Sequence, residues 1–307
     1  MSKYLLSLCI PTNGVSRWVV PNVRQIYSLG SDNSIFEVVV ADNNPNGEMD
    51  AAMKEFEKYP NFHYVKTNAK GFYNIVENFV QAKGDFMIKL NHRCILHEGM
   101  IERFYEMGCK YYETKPLMFF SNGDLHNGEV REYSTFNDYL FHLSYRSSQS
   151  QGLFFWKDDL TDIDHIQFAP MSPNVSLMFD SRKKTSFVID DRIMCHELNS
   201  AGKYGYDLFD TFAVLYLDLV NDVRIDGSIS KKTFIKIKKD IFDMLTTNYF
   251  YMKVLGRNGN YKLEGIKESM GVYYSIVDYK RMIVKAYVVE FFKAAKSRLL
   301  SHLKTRQ

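Results

Sequence analysis

Three groups of side chains in this 307-residue chain have types and spacing suited to chemistry. The first is Asp42, at the polar end of the apolar run FEVVVAD. A carboxylate there accepts two directional hydrogen bonds, which suits the ring N–H or hydroxyl groups of a nucleoside. Followed by Asn43 and Asn44, the same residue is also an ordinary turn former. The second group is the turn Asn91-His92-Arg93-Cys94, which follows the apolar run DFMIKL. It offers an amide, an imidazole, a guanidinium and a thiol, but no carboxylate. Mg²⁺ and Mn²⁺ want hard oxygen ligands, and one amide oxygen beside one ring nitrogen is too little for them. Arg93 instead presents a permanently charged fork that matches phosphate oxygens. The bland alternative is a solvated loop without chemistry. The third group is a set of later acids: Asp190, Asp191, Asp207 and Asp210. Each is a possible acceptor for a hydroxyl proton. Asp207 also opens an apparent helix, where an acid serves equally well as a cap.

These residues must be held by elements, and the first hundred positions give a clear pattern. YLLSLCIPT, FEVVVADNN, FHYVKTN and DFMIKLN are continuous apolar runs ending in polar residues, as buried parallel strands do. Between them VVPNVRQIYSL, GEMDAAMKEFEKY and GFYNIVENFVQAK have helical spacing. Strand–helix alternation of this kind predicts a doubly wound α/β sheet. In such sheets ligands bind at the carboxyl ends of the strands. From about residue 100 to 180 the pattern loosens: PLMFFSNGD reads as strand and turn, and NVSLMFDS as a further strand. From about 204 onward the chain reads as helical, through YDLFDTFAVLYLDLVNDV and KKTFIKIKKDIFDMLTTNYFYMKVLG to a basic terminal helix.

Composition narrows the class. A hydrophobic content of 46% and an aromatic content of 15% support a substantial core. The net charge of +3 points to no particular partner, nucleic acid included. Cys9, Cys94, Cys109 and Cys195 form no C-x-x-C pair, which favours reduced cytosolic thiols over zinc or a disulfide scaffold. The eight histidines lack metal-binding spacing, and His126, His142 and His165 read as surface residues. No stretch reaches the ~20 apolar residues needed to span a bilayer, and residues 1–10 read as a strand and not as a signal peptide.

Four segments carry a resemblance to the family-2 glycosyltransferases of the GT-A fold: SLCIPTNG, FEVVVADNNP, NAKGFYNIVENFVQAKGDFMIKLN and YGYDLFDTF. The resemblance covers roughly residues 3–215 and implies a Rossmann-like, mostly parallel sheet flanked by helices. A helical C-terminal region, 216–307, would follow it. It also implies an inverting transfer of a sugar from a nucleotide-diphosphate donor, a UDP-sugar first among them. By position it places Pro11, Thr12, Asp42 and Asn44 beside the nucleotide, and Asn68 to Gly71 across the donor. Asn91 to Arg93 fall where the family carries its metal-binding Asp-x-Asp motif. With no acid there, His92 and Arg93 are expected to take over the diphosphate charge, with no metal and no other cofactor. Asp207 matches the late acid that supplies the base, with Asp191 next in line; Tyr206 stands where the family usually has Glu. The acceptor class so implied is a glycan or lipid-linked glycan of a bacterial surface. The rival class is a non-catalytic GT-A-like domain that binds a glycan or a protein. A nucleotidyltransferase would need a metal-binding acid pair that is missing at the turn.

The last segment adds a partner. Residues 280–307 carry eight Lys or Arg against one acid, Glu290. Val284, Tyr287, Val288, Phe291, Ala295 and Leu299 share one side at helical spacing, interrupted by Arg298. Lys285, Lys293, Lys296 and Lys304 share the other. Such a helix either lies in an anionic membrane surface or packs its apolar side on the domain. A cytoplasmic protein follows, peripheral on the inner face of the cell membrane if the first option holds.

Overall fold

The computed structural model describes residues 5–149, 151–199, 205–257 and 261–292. The chain divides into two compact units, Met1–Asn199 and Ser200–Gln307, where the sequence reading had put the boundary at 215.

The first unit is built on a mixed sheet of eight strands in the order β3-β2-β1-β4-β8-β6-β9-β7. Its first half is β1 (Leu6–Thr12), β2 (Phe36–Asp42), β3 (Phe62–Lys66) and β4 (Phe86–Lys89), all parallel. All seven residues of β2 are buried, which is why the sequence shows no alternation there. Helices α1 (Ser16–Ser28), α2 (Glu48–Met53) and α3 (Asn74–Gln81) make the crossovers. The chain runs outward from β1 through β2 to β3 and then returns to the other side of β1 as β4. The β1–β4 boundary is therefore the topological switch point, where a ligand crevice forms at the carboxyl ends.

The second half departs from parallel order. A short ribbon pairs β5 (Cys94–Leu96) with β10 (Cys195–Glu197), and α4 (Met100–Lys110) follows β5. Strand β8 (Leu153–Trp156) inserts antiparallel between β4 and β6 (Leu117–Phe120). Beyond β6 lies β9 (Phe187–Asp190), parallel to it, and then β7 (Val130–Tyr133), antiparallel at the edge. Helix α5 (Phe136–Leu143) starts at Thr135, whose side chain accepts the Asp138 N–H. The segment NVSLMFDS, expected as a strand, is helix α6 (Pro173–Asp180). Proline in its first turn suits a helix start, and seven of its eight residues are buried. A helix buried nearly all round shows no 3.6-residue polarity pattern, so its apolar run mimicked a strand.

Aromatic side chains fill the core between the layers. Phe86, Phe154 and Trp156 meet with ring centroids 5.3–5.8 Å apart, and the Trp156 indole N–H donates to the Pro116 carbonyl at 2.7 Å. Each such ring buried from water contributes roughly 1.5–3 kcal/mol.

The second unit is helical. It holds α7 (Leu208–Asp210), α8 (Tyr216–Ile225), α9 (Lys231–Tyr249), α10 (Ile266–Tyr273) and α11 (Ile276–Lys285). Among the described residues no helix is long and apolar enough to cross a membrane.

Candidate active site

The carboxyl ends of β1, β2 and β4 bring most of the expected nucleotide residues together. Asp42 ends β2 and is buried, with one oxygen accepting the Asn44 N–H at 3.0 Å and the other accepting from the Tyr64 hydroxyl at 3.0 Å. The same hydroxyl lies 2.9 Å from Asp50, so two carboxylates share one phenolic proton. Burial, together with those two acids, pushes the Tyr64 phenol well above its usual range. Asp42 is thus held both as a turn former and as a charge at the strand end.

Neighbouring amides fix the loops around it. Asn43 donates to the carbonyls of Ala69 and Gly71 at 3.0 and 2.9 Å, tying the Asn68–Gly71 loop to the end of β2. Asn68 is exposed and lines an open groove of about 630 Å³ with Lys66, Lys70 and Tyr73. Gly14 has φ +85°, and a Cβ there would lie 2.2 Å from the Asn44 side chain, so the turns after β1 and β2 touch because this residue is glycine. Pro11 is half-buried within β1, beyond the residues that pair with β4.

The turn after β4 is folded inward. Asn91 Oδ1 accepts the Arg93 N–H at 3.0 Å. His92 is buried, with Nδ1 3.1 Å from the Thr12 hydroxyl and its ring 5.1 Å from that of Trp18. Arg93 does not stand open to a ligand. Its guanidinium pairs with Glu197 at 2.8 Å, donates to the Leu198 carbonyl at 3.2 Å and lies 5.8 Å from the Trp18 ring centre. Its Nε–H is buried without a partner.

A divalent cation of the kind the family uses does not fit this turn. The only side-chain oxygen it offers, Asn91 Oδ1, is turned onto a backbone N–H, and His92 Nδ1 faces Thr12. Among the described residues no group of three or more His, Cys, Asp or Glu gathers as a metal site.

The candidate bases lie elsewhere. Asp191, just past β9, accepts from the Ser121 hydroxyl at 2.6 Å and from the N–H groups of Leu125, Asn127 and Gly128 at 2.8–3.1 Å. Burial pushes this carboxyl up, but those four donors outweigh it and hold it below the usual carboxylate range. A carboxylate so engaged is a poor base and a good loop anchor. Asp190 is buried against Arg103 and Arg192. Asp207 belongs to the second unit, where one oxygen caps α7 through the Asp210 N–H at 2.9 Å and the other accepts the Glu264 N–H at 2.6 Å. Asp210 is exposed. Of the three histidines, His165 pairs with Asp180 at 3.0 Å and His142 with the Asp138 carbonyl at 2.8 Å, while His126 occupies a loop position with φ 57°.

Several residues that shape the site escaped sequence reading. Asn74 begins α3 and donates to the Thr12 and Ala41 carbonyls at 2.9 and 2.8 Å, while accepting from Thr67 at 2.6 Å. One turn on, Asn78 donates to Val39. Asn22, inside α1, supports the Asn91 carbonyl at 3.0 Å. Gln151 sits at the same sheet edge, since Gly152 N–H donates to Lys89 and Gly152 O accepts from Phe120. Its Oε1 is buried without a partner. The Asn-x-x-x-Asn spacing of 74 and 78 was a readable signal for one polar helix face. Nothing local marks Asn22 or Gln151.

No protein-family model matches the sequence, and no curated protein does. Solved structures do match. The S. aureus TarS fragment 1–349 in complex with UDP-GlcNAc is 15% identical, with a TM-score of 0.61, covering 92% of this chain and 81% of that one. The same fragment with UDP gives 12% identity, a TM-score of 0.57, and coverage of 91% and 78%. The mannosyltransferase PcManGT from Pyrobaculum calidifontis, in complex with GDP-Man and Mn²⁺, is 11% identical at a TM-score of 0.52, covering 92% and 79%. Identities this low speak for the fold alone, and the fold this chain shares with them is GT-A.

Proposed function

We propose that the protein is an inverting glycosyltransferase. It moves a sugar from a nucleotide-diphosphate donor, a UDP-sugar first, to a hydroxyl of a bacterial surface glycan or its lipid-linked precursor. The observation that carries this reading is the buried Asp42 at the end of β2, on the same sheet edge as the Asn91–Arg93 turn in a GT-A fold. The TarS fragment, which shares that fold, was solved in complex with UDP and with UDP-GlcNAc.

The reaction is a single displacement. The acceptor oxygen forms a bond to the anomeric carbon as the bond to the β-phosphate oxygen breaks, and that electron pair leaves with the nucleotide diphosphate. Asp207 takes the acceptor proton; each of its oxygens keeps a second lone pair beside the N–H it already accepts. His92 and Arg93 supply positive charge and donors to the departing diphosphate. Metal dependence is absent on this reading, whereas PcManGT was solved in complex with Mn²⁺. The place of action is the cytoplasmic side of the membrane that carries the acceptor.

A second reading, a GT-A-like domain that binds a glycan or protein without turnover, is favoured by one observation. The fork of Arg93 is already committed to Glu197 and Leu198.

Calorimetric titration with UDP tests the primary reading. Wild type should bind, and Asp42→Ala should bind more weakly by about 1.5–3 kcal/mol, the worth of a charge-assisted hydrogen bond. Equal affinity in a folded variant removes Asp42 from the site, and no binding by either protein removes the reading itself.

A further inference from the structure

Helix α11 and the turn after it have two faces, and the apolar one points the wrong way for a packing helix. Inward lie Met282 and Ala286, both fully buried, and Lys285, which pairs with Asp243 at 2.5 Å. Outward, at the same helical period, lie Val277, Val284, Val288 and Phe292, between 48% and 68% exposed. Lys280 and Arg281 stand between them on the exposed side. Val277, Val284, Val288 and Phe292 thus form an uncovered stripe, an arrangement monomeric soluble domains avoid unless it docks on something.

Charge selects the occupant. Lys280 and Arg281 border the stripe on its exposed side, so a second copy laid against it would bring like charges together. A neutral protein groove would leave the lysines without partners. A surface that takes apolar side chains a few ångströms deep and offers negative charge at the same level is an anionic lipid bilayer. Crossing is not at issue among the described residues, where no helix is long and apolar enough for it.

We infer that the outer face of α11 lies in the plane of an anionic membrane. Val277, Val284, Val288 and Phe292 enter the acyl boundary, and Lys280 and Arg281 sit among the phosphates. This docking is independent of the transfer reaction and stands or falls separately from it.

The test uses the full chain and two vesicle preparations, phosphatidylcholine alone and phosphatidylcholine with phosphatidylglycerol, in a co-sedimentation assay at low and high salt. Binding is expected only to the anionic vesicles and should weaken with salt. Lys280→Glu with Arg281→Glu should reduce it by more than about tenfold. Val284→Asp with Phe292→Ser should abolish it; both sites are exposed, so the fold and UDP affinity should not change. Two results overturn the inference. One is equal binding, or none, to both vesicle types by the wild type. The other is a wild-type dimer in solution that Val284→Asp splits without any vesicle binding, which makes the face a self-association surface.

Discussion

On the proposed reading the chemistry of the turn depends on Arg93, which is already occupied by Glu197 and the Leu198 carbonyl. Its pair with Glu197 is partly exposed, so the contact is worth only about 0.2–1 kcal/mol. A diphosphate brings more charge than one carboxylate and offers the same bidentate geometry, so it can displace Glu197. Removing that competitor should help the ligand. Glu197→Gln is expected to tighten UDP binding by up to about fivefold. Arg93→Ala should weaken it by about tenfold or more. Both are read by calorimetry on folded protein, and unchanged affinity in both variants confines Arg93 to bracing the turn against Trp18.

At the scale of elements, α3 is stitched to the sheet by amides where a helix of this kind would ordinarily show only apolar contacts. Asn74 reaches two strand-end carbonyls and one hydroxyl at once. Asn74→Asp keeps the shape and turns both donors into acceptors aimed at carbonyl oxygens. A loss of about 2–4 kcal/mol is expected, seen as a lower urea midpoint with an unchanged slope. A midpoint within error of wild type means these amides are dispensable. The Asp191 loop makes a separate claim about pH. Its carboxyl is held below its unfolded value, so its stabilisation is complete above about pH 4 and fades as the pH falls through the folded value. Asp191→Asn should therefore be less stable than wild type at neutral pH, and the difference should shrink in acid. A constant difference from pH 7 to 3 contradicts this.

The same elements show what the sequence could tell and what it could not. The four parallel strands were legible because each is an apolar run that ends in polar residues at its carboxyl end. Helix α6 was not, because burial on nearly every side erased its period. The insertion of β8 between β4 and β6 rests on pairings such as Phe86 with Trp156 and Met118 with Phe154, far apart in sequence, and no local pattern encodes those. The terminal helix carried a readable apolar stripe, but a stripe does not say which face meets the protein. Val284, Tyr287, Val288 and Phe291 turn out to be exposed. Ala295, Leu299, Arg298, Lys293, Lys296 and Lys304 lie outside the described residues. Of the candidate site residues, those at the strand ends were named by position, and the sheet sets them along one edge. One support, Asn22, reaches the turn from a distant segment and becomes visible only when the strands are assembled.

At the scale of the whole molecule, a GT-A sheet carries no acid in the Asn91–Cys94 turn, where the family it resembles has its Asp-x-Asp motif. On the proposed reading cationic side chains carry the diphosphate charge; on the rival reading there is no turnover. Release of UDP from a panel of UDP-sugars, measured in EDTA and again with Mn²⁺ added, separates these most directly. The account predicts release in EDTA with one sugar of the panel, little change with Mn²⁺, and a loss of about 3–4 kcal/mol in transition-state stabilisation in Arg93→Ala. Activity that EDTA abolishes and Mn²⁺ restores contradicts the account of the turn, and no release under either condition contradicts catalysis itself.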